Sequence, residues 1–115
     1  MRTIIAGSRD CTDMKILETA IANITWQPSV VISGTARGAD TLGELWAAKN
    51  NIPIERKPAN WKQYGQSAGY KRNREMAESA EALIALWDGN SRGTLHMIEQ
   101  ANKKQLLVYV FEYKK

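Results

Sequence analysis

Nine residues, SGTARGADT at positions 33–41, join two stretches of chain with different hydrophobic patterns. The β-branched run at 30–32 before them predicts a buried strand, whereas the apolar residues that follow at 42–47 recur at helical spacing. Glycines on either side of Arg37 allow a tight turn between these two elements. Such a turn is typical of a βα unit, in which the N-terminus of the helix favours a bound anion.

The same order of strand and helix continues along the whole chain. Predicted strands lie at 3–6, 30–32, 52–56, 82–87 and 107–111, and predicted helices at 14–24, 40–50, 70–79 and 95–104, with Asp40 as the cap of the second helix. Residues 60–69 are the least regular stretch and are predicted to form a loop. The alternation predicts an α/β fold, a Rossmann-like three-layer sandwich with a parallel five-stranded sheet. A length of 115 residues predicts one domain at 1–115.

Charge and cysteine content limit the classes of partner. The formal charge of +4 and the pI of about 9.3 favour anionic partners, either small phosphates or nucleic acid. With Cys11 as the single cysteine and His96 as the single histidine, we expect no metal, no cofactor and a reducing, cytoplasmic setting. We expect no membrane partner, because no apolar run approaches the length of a membrane span, and disorder only at residues 114–115.

Three of the loops that follow strands carry glycine beside arginine: GSRD at 7–10, SGTARGAD at 33–40 and DGNSRGT at 88–94. The carboxyl ends of parallel strands meet at one edge of the sheet, and ligands bind there where the strand order reverses. The segment after the long loop adds Arg72 and Arg74. We therefore expect one anion site at this edge, although the spacing matches neither a Walker P-loop nor a dinucleotide fingerprint.

Four segments carry a resemblance to a known family: GSRD, VVISGTARGADTLGELWA, PANWKQYGQSAGYKRNREMA and ALIALWDGNSRGTLHMIEQA. Together, over about residues 4–110, they resemble the YspA/YpsA-related SLOG family. The wider SLOG superfamily has a Rossmann-like fold and includes LOG phosphoribohydrolases, DprA single-strand DNA-binding proteins and sensor domains of nucleotide-signalling defence systems. The resemblance implies a nucleotide or nucleotide-derived ligand and a homo-oligomer, with the helix at 42–49 and the long loop as candidate interfaces.

The resemblance also implies roles for individual residues. SGTARGAD is similar to the first phosphate-binding loop of the superfamily, YKRNREM to the segment that supplies an arginine, from Arg72 or Arg74, and NSRGT to a second glycine-threonine loop. Together with the other loops described above, the candidate ligand-binding residues are Gly7, Ser8, Arg9, Ser33, Gly34, Arg37, Gly38, Asp40, Arg72, Arg74, Asp88, Arg92, Gly93 and Thr94.

The carboxylates leave the activity open. LOG enzymes carry a catalytic glutamate three residues after the threonine, where this chain has Met97. Glu99 lies two residues further on, about 200° around the helix. Glu99 and Asp88 are the candidate catalytic residues, because cleavage of an N-glycosidic bond needs a carboxylate. His96 is a further candidate base or ligand contact.

We therefore predict binding of a phosphorylated nucleotide or nucleotide-derived signal without turnover, and two alternatives stay open. One is a nucleoside 5'-monophosphate phosphoribohydrolase, and the other is single-stranded nucleic-acid binding, which the basic pI favours. Trp61 and Tyr64, in the predicted long loop, are candidates either to stack on a base or to pack between subunits.

Overall fold

A parallel sheet of five strands forms the centre of the protein in a computed structural model, which describes residues 1–114. The strands are β1 (Arg2–Gly7), β2 (Val30–Ser33), β3 (Ile54–Arg56), β4 (Ala82–Trp87) and β5 (Leu107–Glu112), in the spatial order β3-β2-β1-β4-β5. Every neighbouring pair is parallel, and Ile5 of β1 lies opposite Ile84 of β4. The predicted α/β fold and its strands are confirmed. Lys115, on which part of the predicted terminal disorder falls, lies outside the described residues.

Helices cover both faces of the sheet, because successive strand residues point to opposite faces. Ile4 of β1 belongs to a core with residues of α4 (Ala68–Ser79) and α5 (Arg92–Lys103). Ile5 belongs to a second core with residues of α1 (Met14–Asn23) and α2 (Ala39–Lys49). Both isoleucines are fully buried. This arrangement is the predicted three-layer sandwich.

Residues 60–69, predicted to be a loop, are largely helical. The short helix α3 spans Trp61–Tyr64, a 3-10 turn follows at Gly65–Ser67, and α4 already begins at Ala68. The Asn60 side chain accepts a hydrogen bond from the backbone N–H of Gln63 and so caps α3. The hydrophobic pattern could not predict these turns because residues 61–67 are all exposed.

Two predicted helix starts also differ from the structure. Asp40 was predicted to cap α2, but the cap is Gly38, and Asp40 is the second residue of the helix. Helix α5 starts at Arg92 rather than at 95, because the Ser91 hydroxyl accepts a hydrogen bond from the N–H of Thr94. Residues 92–94, predicted in a loop, therefore form the first turn of α5.

Strand order determines where the loops meet. From β1 the chain moves outward on one side to β2 and β3, and then returns to the other side of β1 for β4 and β5. The order therefore reverses between β1 and β4, where a crevice opens beyond the carboxyl ends of the strands. Within the described part of the chain, no helix is long and apolar enough to cross a membrane.

Candidate functional site

A cavity of about 600 Å³ lies at this reversal point, within the size range of small-molecule sites. Its walls come from the ends of β1 and β4, the start of α2, the start of α5 and one face of α4. Of the predicted ligand-binding residues, the cavity is lined by Gly7, Ser8, Arg9, Arg37, Asp40, Arg72, Asp88, Gly93 and Thr94. The loops after β1, β2 and β4 therefore line one cavity.

The floor of the cavity depends on a close approach of β1 to β4. A Cβ atom on Gly7 would lie 2.1 Å from the carbonyl oxygen of Leu86, so only glycine fits there. The next residue, Ser8, is buried; its N–H donates to the same carbonyl, and its hydroxyl accepts from the N–H of Asp88. Asp88 in turn accepts from the N–H groups of Asn90 and Ser91, which shapes the turn into α5.

Arg72 crosses from α4 to the loop after β2. Its guanidinium donates through Nη1 to the carbonyl oxygen of Gly34 and through Nε to the side chain of Asn73. A Cβ atom on Gly34 would lie 2.6 Å from Nη1 of Arg72 and 2.8 Å from Oδ2 of Asp40. The absence of a side chain at Gly34 therefore leaves the space that Arg72 occupies.

Asp40 is a buried carboxyl group in the wall of the cavity, with 5% of its surface exposed. Its Oδ2 accepts a hydrogen bond from the N–H of Ala36, 3.1 Å away, and this bond fixes the loop in front of α2. Burial raises the pKa of Asp40 to about 6, and the Ala36 hydrogen bond and the positive charge of Arg72 only partly oppose the rise. Burial likewise lowers the pKa of Arg72, while Asp40 acts to raise it.

Asn73 is a member of the site that the sequence analysis missed. It is 5% exposed and lines the cavity. Its Oδ1 accepts from Arg72, its Nδ2 donates to the carbonyl oxygen of Gly93 at 3.2 Å, and Nδ2 lies 3.2 Å from Nδ1 of His96. One amide therefore joins the arginine on α4 to the first turn of α5.

Aromatic residues form the outer wall. The rings of Tyr70 and His96 lie 4.3 Å apart between centroids, and Tyr70 lines the cavity. Trp61, which is 50% exposed, also lines it, and its ring packs over Gly69. Burial lowers the pKa of His96, with nearby Arg74 acting in the same direction, so the imidazole is favoured in its neutral form.

The remaining predicted residues lie outside this cavity. Ser33 is buried and donates its hydroxyl hydrogen bond to Glu44, while Gly38 adopts a positive φ of 80° against the carbonyl oxygens of Ser8 and Arg9. Gly34 lines a neighbouring cavity. The exposed residues outside the lining are Arg74, Arg92 and Glu99. Between the two candidate arginines of α4, the structure thus brings Arg72 and not Arg74 to the cavity.

The carboxylates of the site differ from those of a LOG enzyme. Met97 is 1% exposed and lines the cavity, three residues after Thr94, whereas Glu99 is exposed to solvent. Asp10, Asp40 and Asp88 are the acidic residues of the lining. Among residues 1–114, no group of three histidine, cysteine or acidic side chains is arranged to hold a metal ion.

Comparison with known proteins finds a matching family model, a similar phage protein and a solved structure with a similar fold. A model of the YspA, cpYpsA-related SLOG family matches residues 1–64. The Gene 61 protein of Mycobacterium phage D29 is 34% identical over 119 aligned positions, which cover 96% of this chain and 95% of that protein. The X-ray structure of DNA processing protein A (DprA) from Streptococcus pneumoniae has a similar fold, with a TM-score of 0.75 and 21% identity. That match covers 95% of this chain but only about half, 49%, of the DprA chain.

Proposed function

Because the chain belongs to the YspA, cpYpsA-related SLOG family, we propose that it binds a phosphorylated nucleotide or nucleotide-derived ligand in the cavity between β1 and β4. The observation that carries this proposal is the set of three arginines, Arg9, Arg37 and Arg72, around one cavity at the reversal of strand order. Guanidinium groups match the geometry of phosphate oxygens, which they bind by paired hydrogen bonds.

Electrostatics support an anionic ligand. Within residues 1–114, neither Arg9 nor Arg37 forms an ion pair, so their charges are not neutralised in that way by the described part of the protein. The first turn of α5, with Gly93 and Thr94 at the cavity, adds the partial positive charge of a helix N-terminus. A Cβ atom on Gly93 would meet nothing within 4 Å, which leaves room for a phosphate close to the backbone.

The geometry favours binding without turnover. Met97 provides no carboxylate at the position where LOG enzymes carry their glutamate, and the Glu99 side chain does not line the cavity. Asp40 is already engaged with Ala36 and near Arg72. Asp88 supports the turn before α5. Because the carboxylates of Asp40 and Asp88 accept hydrogen bonds that hold loops in place, we do not assign them a catalytic role. We therefore expect the ligand to be released intact.

The experiment is chromatography of a nucleotide panel after incubation with excess protein. Monophosphates, diphosphates, cyclic nucleotides, NAD and ADP-ribose are measured in a filtrate and again after the protein has been denatured by heat. We expect one nucleotide to disappear from the filtrate and to return intact after denaturation. Free base in either sample would instead show a hydrolase, and an unchanged filtrate for the whole panel would contradict the proposal.

Two arginines of the same helix provide a matched pair of variants. Arg72→Gln removes the charge that lines the cavity, whereas Arg74→Gln removes an exposed charge two residues away. We expect Arg72→Gln to lower nucleotide affinity at least tenfold, because charged hydrogen bonds contribute about 1.5–3 kcal/mol, and Arg74→Gln to change it less than threefold. Equal losses in both variants would argue against this cavity as the site.

We also propose that the protein forms a homo-oligomer through α2. Leu45 on this helix is 56% exposed, and Ala48, three residues further on, is exposed on the same side, so α2 presents apolar side chains to solvent. Size-exclusion chromatography with light scattering, which measures the molecular mass in solution, checks this proposal. We expect Leu45→Glu to lower the molecular mass, and Lys103→Glu on α5, on the opposite face of the sheet, to leave it unchanged.

A further inference from the structure

A second cavity of about 470 Å³ adjoins the first one on the side of β2 and β3. The two cavities share a wall formed by the side chains of Arg9, Arg37, Arg72 and Trp61, together with Ala36. Gly34, Thr35 and Ala59 line only the second cavity, which we call the side cavity. Each space alone falls in the range of about 300–1,000 Å³ that small-molecule sites occupy.

The shared wall is where the positive charge of the site is concentrated. Arg9, Arg37 and Arg72 all line both cavities, so an anionic group held by them sits at the boundary and not at one end. Arg9, Arg37 and Trp61 are exposed, which leaves the boundary open to solvent and lets a ligand lie across it. The like charges of Arg9 and Arg72 act on each other, since Arg9 contributes to lowering the pKa of Arg72. A bound anion relieves this repulsion.

From this arrangement we infer that the ligand is a diphosphate that carries an organic group at each end, rather than a mononucleotide. The inference rests on the proposed nucleotide-binding function and names the class of its ligand. The diphosphate lies along the shared arginines, one organic group occupies the cavity between β1 and β4, and the other occupies the side cavity. A mononucleotide with its phosphate at the arginines would fill one cavity and leave the other to water.

The two cavities favour different end groups. Trp61 belongs to the wall that both cavities share, whereas Tyr70 lines only the cavity between β1 and β4. That cavity therefore offers a second aromatic ring against which a base can stack. The side cavity has Gly34, Thr35 and Ala59 as its own walls beside the shared arginines and Trp61. The Thr35 hydroxyl and the arginines suit a polar group the size of a sugar. Thr35 has an uncommon positive φ of 65°, and its N–H donates to the hydroxyl of the buried Ser33 at 3.0 Å, which holds it in place.

Calorimetric titration with two matched series of three probes tests the inference. One series is AMP, ADP and ADP-ribose, and the other is GMP, GDP and a GDP-sugar. In whichever series binds, we expect the diphosphate with two organic ends to bind at least tenfold more tightly than the free diphosphate or monophosphate. Equal or tighter binding of AMP or ADP, or of GMP or GDP, would overturn this inference alone. Failure of every probe and of the nucleotide panel would overturn the proposed function as well.

A variant that fills the side cavity separates the two cavities. Ala59 is half-buried in the loop before α3 and lines the side cavity only. We expect Ala59→Phe to reduce the affinity for ADP-ribose to that for ADP, with ADP itself unchanged, and Ala59→Leu to have a smaller effect of the same sign. Ala22→Phe, on an exposed position of α1 outside both cavities, is the control. Unchanged ADP-ribose binding in a folded Ala59→Phe variant, with its Tm within a few degrees of the parent, would overturn the inference.

Discussion

At the scale of single residues, glycines that look alike in the sequence have opposite tasks. Gly34 has Arg72 and Asp40 within 3 Å of where a Cβ atom would be, whereas the space around Gly93 is open to 4 Å. We expect Gly34→Ala to displace Arg72 from the Gly34 carbonyl and to lower the free energy of unfolding by about 1–3 kcal/mol. Urea denaturation, with nucleotide titration alongside, measures both effects.

Gly93→Ala is the contrasting substitution, because the space around Gly93 is open. Gly93 lies in the first turn of α5, where alanine is a better helix former by up to about 1 kcal/mol. We expect a small gain in stability together with weaker nucleotide binding, because the methyl group enters the cavity. A stable Gly34→Ala protein with full affinity would show that the contact between Gly34 and Arg72 contributes nothing.

The buried Asp40 predicts a pH dependence of stability. Its pKa is raised to about 6 in the folded protein, so between pH 4 and 6 the folded state holds a proton that the unfolded state has released. The free energy of unfolding therefore falls as the pH rises through this window and levels off above it. A rise of about two pKa units corresponds to about 3 kcal/mol.

Asp40→Asn tests this sign directly. The asparagine keeps an oxygen that can accept from the N–H of Ala36 but does not titrate. Relative to the parent protein, we expect the variant to gain up to about 3 kcal/mol between pH 4 and pH 7 in urea denaturation. Parallel stability curves for the two proteins over this range would contradict the raised pKa.

At the scale of elements, α4 and α5 are tied together by the amide of Asn73. We expect Asn73→Ala to lose its bonds to Arg72, Gly93 and His96, to cost about 1–3 kcal/mol of stability and to weaken nucleotide binding through Arg72. Glu78→Ala, at an exposed position of the same helix, is the control. Thermal unfolding and nucleotide titration of both variants check this. If Asn73→Ala unfolds like Glu78→Ala and binds like the parent, the amide does not position Arg72.

The strands were easier to predict than α3 and the start of α4, which lie within residues 60–75. Each central strand is a continuous apolar run bounded by glycine or polar residues, which is the pattern of a strand buried on both faces. Helix α3 has no buried residue, so it left no periodic pattern. Asn60 caps this helix, and Trp61, its first residue, lines the cavity.

The sequence analysis could not choose between Arg72 and Arg74, because it did not identify which side of α4 is buried. Asn73, Met76 and Ala77 are the buried face of α4, and Arg72 lies four residues before Met76, on the same side of the helix. Arg74 lies two residues from both Arg72 and Met76, which is the opposite side. The spacing of Arg72, Asn73, Met76 and Ala77 along the sequence was sufficient to place Arg72 on the buried side of α4. It was overlooked because the buried face includes the polar residue Asn73, and buried faces are normally recognised by apolar residues.

At the scale of the whole molecule, the distribution of charge distinguishes a nucleotide pocket from a nucleic-acid surface. The net charge is +4, and three arginines line one cavity. The exposed lysines lie on separate helices, such as Lys15 on α1, Lys49 on α2 and Lys103 on α5, and not in one stripe along a groove. A single strand of nucleic acid needs a continuous positive track with stacking platforms.

We therefore expect single-stranded DNA to bind weakly and only through the cavity. Three phosphate contacts predict a salt slope of about −2 for a single strand, measured by anisotropy of a labelled oligonucleotide between about 50 and 200 mM salt. The nucleotide identified in the panel should displace this oligonucleotide completely, because both use Arg9, Arg37 and Arg72. A slope of about −5 or steeper, with binding that survives a saturating nucleotide, requires more phosphate contacts than the cavity offers. That result would place nucleic acid on the outer surface and make the nucleotide pocket a secondary feature.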